Sequence, residues 1–75
     1  MRIEYWPDVD MLHIRLSDAI SQHGHDAEDP DITVHFDKDN RLVEIEVSNA
    51  SRRIDLDDLR RRYSFEEVRP EEMRA

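Results

Sequence analysis

The chain carries the side chains of acid–base and metal chemistry but few of those needed for nucleophilic catalysis. Four histidines, His13, His23, His25 and His35, stand among 19 Asp and Glu residues. His23 and His25, with Asp26 and Glu28 close by, offer the nitrogen and oxygen donors that zinc or nickel accepts. Two imidazoles at i and i+2 in a polar segment are solvated rings unless further ligands arrive from elsewhere, so the spacing assigns no metal ligand. His13 and His35 fall on the polar parity of their segments and read as parts of a hydrogen-bonding strand face near Glu44. There is no Cys, and Ser17, Ser21, Ser48, Ser51 and Ser64 sit in no nucleophile-elbow pattern. Gly24 is the single glycine, which excludes a glycine-rich phosphate loop. Carboxylate pairs arise by chance in so acidic a chain, and a small core offers little burial to raise the pKa of one of them. The expectation is a non-enzyme with no catalytic residue, cofactor or metal.

The elements that must position these groups are short strands. Arg2 to Tyr5 and Met11 to Leu16 alternate polar and apolar residues, with Leu12, Ile14 and Leu16 on one face. Pro7, Asp8 and Asp10 between them supply turn chemistry, and pairing Tyr5 with Leu12 and Ile3 with Ile14 makes the apolar faces coincide. Ser17 to Pro30 is polar and reads as a long loop. Ile32, Val34 and Phe36 alternate with Thr33 and His35, and the alternation resumes at Val43, Ile45 and Val47 after Asp37, Lys38, Asp39 and Asn40. A four-residue loop there sets Val34 opposite Val43 and Ile32 opposite Ile45. A two-residue loop keeps the same faces matched.

Helical character follows. Ser48 or Asn49 caps a short turn through Arg53, and Asp55 with Asp58 forms a capping-box pattern. Leu56, Leu59 and Tyr63 fall on one stripe that covers the apolar sheet face, predicting a core of Leu12, Ile14, Val34, Phe36, Val43, Ile45, Leu56 and Leu59. The predicted fold is α+β: two antiparallel β-hairpins forming a small sheet, covered on one face by a short C-terminal helix. Residues 1–63 form this single ββββα domain, and 64–75 an acidic C-terminal tail able to flex.

Seventy-five residues hold one core of limited stability, which without cysteine draws on no disulfide, so a metal or a second copy are the remaining supports. No stretch approaches the ~20 apolar residues of a membrane span, and the start lacks a signal-peptide run, so the expected location is cytoplasmic with no membrane partner. The net charge of -8 opposes phosphate backbones and makes direct nucleic-acid binding an unfavoured reading, whereas a basic protein partner is favoured by field complementarity. Arg52, Arg53, Arg60, Arg61 and Arg62 are accounted for by helix-dipole compensation and pairing with the many acids.

Tyr5, Pro7, Asp10, Leu12, Ile14 and Leu16, followed by Phe36, Asp37, Asp39, Arg41, Leu42, Val43, Ile45, Glu46, Ala50 and Ser51, resemble in order the small prokaryotic family domain of unknown function 2283 over about residues 1–54. Asn40 and Glu44 stand where that family usually has glycine. Asn40 can still adopt φ > 0, whereas Glu44 places a charged side chain at a point of close backbone approach. The resemblance implies no activity; some members look like the small partner encoded beside toxin-like proteins.

Two functional readings follow. In the first the chain is a small acidic protein-binding module, an antitoxin-like neutraliser of a basic partner, engaged through a sheet edge or the tail. The alternative is a nucleic-acid-mimicking inhibitor of the phage-encoded kind, or a structural homodimer without enzymatic activity. Met11, Leu42 and Trp6, which a helix on the opposite face leaves uncovered, predict self-association into a homodimer. Partner contact is assigned to His13, His35, Glu44 and Glu46 on the sheet face and to Glu66, Glu67, Glu71 and Glu72 in the tail.

Overall fold

The computed structural model describes residues 1–69. Its strands are β1 (Arg2–Trp6), β2 (Met11–Arg15), β3 (His23–Asp26), β4 (Ile32–Phe36), β5 (Leu42–Ser48) and β6 (Glu66–Glu67), with helices α1 (Ala50–Arg53) and α2 (Leu56–Arg62) between β5 and β6. Among the described residues they form one mixed sheet in the order β3-β4-β5-β2-β1-β6 and two short helices, so the α+β class holds while the architecture exceeds two hairpins. No described helix is long and apolar enough to cross a membrane.

The first hairpin has the register that its apolar parity demands, with Ile3 opposite Ile14 and Tyr5 opposite Leu12. The second keeps the expected faces but slides by two residues, setting Val34 opposite Ile45 and Ile32 opposite Val47. The turn causes this shift. The Asp37 carboxylate accepts the amides of Asp39 and Arg41, the Asn40 amide donates to the Asp37 carbonyl, and Asn40 itself is left-handed at φ 65°. Arg41 is thereby drawn into the turn, and a bulge between His35 and Phe36 absorbs the odd residue.

The polar segment read as a loop contains β3, which pairs with β4 at the edge of the sheet. All four of its residues are exposed, so no apolar alternation marked it; backbone pairing alone makes it a strand.

The buried cluster is Ile3, Tyr5, Leu12, Val47 and Ala50, with Ile14, Ile45, Ile54, Leu56, Leu59 and Phe65 packed against it, and Val43 is buried as well. Val34 and Phe36, expected in the core, are only half-buried and lie outside that cluster. The reason is the attachment of α1. Ala50 donates its amide to the Asp10 carbonyl in the β1–β2 turn, which holds the helical segment over β1, β2 and β5 and leaves the β3–β4 half of the same face uncovered.

Asp55 caps α2 by accepting the Asp58 amide at 3.0 Å, as the sequence pattern implied. Asn49 at the start of α1 makes no side-chain cap. Tyr63 leaves the apolar stripe, because α2 ends at Arg62 and Tyr63 is extended and half exposed. Beyond it Phe65 packs against the core, and β6 runs parallel to β1, with the Val68 amide on the Tyr5 carbonyl.

Candidate functional site

Strand alternation divides the sheet into a face packed against the helices and an open face. On the open face the Trp6 ring of β1 lies 6.1 Å from that of His13, and beside them the central strands carry polar and charged side chains. Central β5 presents Glu44 and Glu46; β2 sets His13 opposite Glu46 and Arg15 opposite Glu44, and β4 sets His35 opposite Glu44. The side chains meet on the diagonals as well as directly. His13 Nδ1 lies 3.0 Å from Glu44 Oε1 and 3.8 Å from Glu46 Oε1, while His35 Nε2 lies 2.9 Å from that same Glu46 Oε1. Arg15 approaches the other oxygen of Glu44 at 3.8 Å.

Glu44 is only 9% exposed although it is charged. A carboxylate so enclosed is tolerated because His13 and Arg15 stand against it, and removing either partner leaves an under-compensated charge. The outer end of the cluster is built from the segment that includes β3. Ser21 Oγ lies 3.2 Å from His35 Nδ1, and the imidazole of His35 rests against Gly24, where an added Cβ would come within 2.8 Å of the ring. The single glycine of the chain is thus the seat of a histidine ring. Ser21, His35 and Glu46 form a hydroxyl–imidazole–carboxylate series, but Ser21 is exposed. Acyl transfer also needs converging donors for an oxyanion, and the series alone supplies none.

A second polar knot lies at the end of the β1–β2 turn. Tyr5 donates its hydroxyl to Asp10 Oδ1 at 2.7 Å, and Ser51 donates its amide to Oδ1 at 3.0 Å and its hydroxyl to Oδ2 at 2.7 Å. These bonds hold the Asp10 carboxyl below its ordinary range, the Ser51 hydroxyl contributing most and the Tyr5 hydroxyl next. The same bond to Asp10, aided by burial, pushes the Tyr5 phenol up. Asp10 therefore acts as a cap for α1 from 41 residues away in sequence, with its own backbone at φ 52°.

Of the residues assigned to partner contact, His13, His35, Glu44 and Glu46 come together in one cluster. Glu66 and Glu67 lie apart from it on β6, where Glu67 pairs with Arg60 and Arg69. Glu71 and Glu72 lie outside the described residues. His23 and His25 share the other sheet parity: their nitrogens are 2.9 Å apart and His23 stacks on Phe36. Ser21 and Gly24 were missed as neighbours of the cluster, whereas Arg15 shares the face of His13 by parity. Neither carried a signal, because both lie in the polar segment without alternation.

These features define a small α+β sheet domain whose Tyr5–Asp10–Ser51 bonds close the fold and whose open face carries a histidine–glutamate cluster. The chain belongs to the family described as Protein of unknown function (DUF2283), which matches residues 2–51. No curated protein and no solved structure matches the chain significantly. The matched stretch runs from the first hairpin to Ser51, so it includes the whole Tyr5–Asp10–Ser51 knot.

Proposed function

We propose that this chain is a small protein-binding module, an antitoxin-like neutraliser that takes an extended basic segment of its partner along the outer edge of β3. The observation that supports this reading is the exposed edge strand set in a cation-free stretch. β3 is terminal in the sheet, all four of its residues are exposed, and it carries no Lys or Pro of the kind that discourages strand addition. Between Arg15 and Lys38 there is no Lys or Arg, whereas Asp18, Asp26, Glu28, Asp29, Asp31 and Asp37 all fall there.

Arg53 neutralises Asp29 and Asp31, and Arg60, Arg61 and Arg62 are engaged by Asp57, Asp58 and Glu67. Asp26, the last residue of β3, accepts only the Thr33 hydroxyl at its carboxylate, and neither it nor Glu28, two residues beyond the strand, has an ion-pair partner among the described residues. A partner strand added at this edge gains main-chain hydrogen bonds, and its Lys or Arg side chains gain two uncompensated carboxylates. Association should be fast at low salt and slow as salt rises.

The test is capture of the partner from the native host, followed by affinity measurement of the captured protein against the wild-type chain and D26K/E28K. The double charge reversal should weaken binding by about tenfold or more at low salt, equal to roughly 1.4 kcal/mol, and flatten the salt dependence. Equal affinities at every salt concentration would remove β3 as the docking edge. Sedimentation of the chain alone shows whether a second copy occupies that edge instead.

A further inference from the structure

We infer that His13, Glu44 and Glu46 form a binding site for a zinc-class divalent cation, with His35 beside it on the far side of Glu46. This site lies on the open face and is independent of the partner-binding reading at β3. The three side chains offer ligand atoms that all lie within 4.8 Å of one another. A tetrahedral cation with bonds of about 2.0–2.2 Å holds its ligand atoms roughly 3.3–3.6 Å apart. The separations of 3.0 Å and 3.8 Å from His13 Nδ1 to the two glutamate oxygens bracket that spacing. His35 Nε2, at 2.9 Å from Glu46 Oε1, stands one ligand spacing further on.

The positions are pre-organised. Each residue sits within a strand, on β2, β5 or β4, in adjacent register, so little conformational freedom remains to be lost on binding. The surroundings suit a metal. Arg15 approaches Glu44 Oε2 and leaves Oε1 turned to His13, and Ser21 at His35 Nδ1 helps to fix the His35 ring with its Nε2 turned to Glu46.

Mixed imidazole and carboxylate donors favour zinc and its neighbours over magnesium or calcium, which seek oxygen. Two carboxylates balance the charge of the cation, and the net charge of -8 draws cations to the surface. Bound there, the ion would tie β2, β5 and β4 together across the face that no helix covers, in a domain with no disulfide. His23 and His25 are the competing pair. Their nitrogens are 2.9 Å apart, yet no third His, Asp or Glu joins them in such a cluster among the described residues.

The experiment is titration of the full chain with Zn²⁺, with Co²⁺ as a spectroscopic substitute and Mg²⁺ as the oxygen-seeking control. Zn²⁺ should bind and raise Tm, Co²⁺ should give visible d–d bands of a nitrogen–oxygen site, and Mg²⁺ should do neither. His13→Ala and Glu46→Gln should each lower Zn²⁺ affinity by about tenfold or more, while H23A/H25A should leave it unchanged. Circular dichroism of the metal-free chain identifies a variant that has lost its fold. If His13→Ala unfolds, the near-isosteric Glu46→Gln decides the matter. The proposal is overturned if the wild-type chain fails to bind Zn²⁺ at about 100 μM free metal, or if removing His23 and His25 lowers affinity as much as Glu46→Gln does.

Discussion

Two polar clusters in this small domain are assembled from distant segments, and they differ in what their polar atoms are left to do. In the Tyr5–Asp10–Ser51 knot both oxygens of one carboxylate are filled by donors from the first strand and the first helical turn. Its hydrogen bonds close the fold, and they also set the protonation state of both ends, with Asp10 lowered and Tyr5 raised. In the open-face cluster two glutamates face two imidazoles and one guanidinium across three strands, and the sheet would pair without any of them. Polar groups saturated by donors within the fold serve the structure. Polar groups aligned by the sheet but not required by it remain available to a ligand.

Adjacent residues of β2 give the widest separation between the two roles. Leu12 is fully buried on the helix-covered face, and His13 is its neighbour on the open face. Leu12→Ala should cost about 2–5 kcal/mol in chemical denaturation, enough to unfold much of so small a domain. A loss below 1 kcal/mol would show that the packed half of the sheet is not the source of stability.

Asp10→Asn should be the next largest effect. It removes the anionic acceptor of three hydrogen bonds, each worth about 1.5–3 kcal/mol when the acceptor is charged but partly replaced by the amide oxygen, for a net loss of roughly 2 kcal/mol. The pH dependence has a definite sign. Because the folded Asp10 carboxyl titrates below its ordinary value of 3.8, its contribution is complete above that value and is lost as pH falls through the lower folded one. Acid unfolding curves of wild type and Asp10→Asn should therefore converge at low pH. Parallel curves would mean that another carboxylate governs the acid limb.

Tyr5→Phe sharpens the same contrast from the donor side. It keeps the buried ring and removes one hydroxyl, so a loss of about 1 kcal/mol is expected. The Tyr5 phenol titrates above its ordinary 10.0 in the folded chain, so its stabilisation is intact below pH 10.0 and fades as pH rises through the folded value. A spectrophotometric titration that shows the Tyr5 phenol at the ordinary value would exclude the bond to Asp10.

The smallest effect should come from the open face. Glu46→Gln in metal-free solution should change stability by less than about 0.5–1 kcal/mol, since it replaces one partly exposed acceptor by another. A much larger loss would place Glu46 with Asp10 among the residues that close the fold.

The residues themselves determined much of the first hairpin. Polar and apolar positions alternate with a period of two, and any one-residue slip would turn Ile3 and Ile14 away from the same face, so the register follows from local pattern. Asp55 as the cap of α2 was legible for a similar reason, because its partner amide is three residues away. The parity of His13, His35, Glu44 and Glu46 was legible too, and it placed them on one face without showing which atoms meet.

What the tertiary structure alone decided depends on pairings between distant segments. β3 has no apolar side of its own, so only its pairing to β4 marks it as a strand. The placement of β5 between β4 and β2 set His35 and His13 on either side of Glu46, and no spacing along the chain carries that strand order. Asp10 looked like a turn residue, yet its acceptors reach Ser51 because the chain returns there after the whole second hairpin. Short-range hydrogen bonds and side-chain parity are properties of neighbouring residues; sheet order and the centre of the core follow from how the strands share one limited apolar surface.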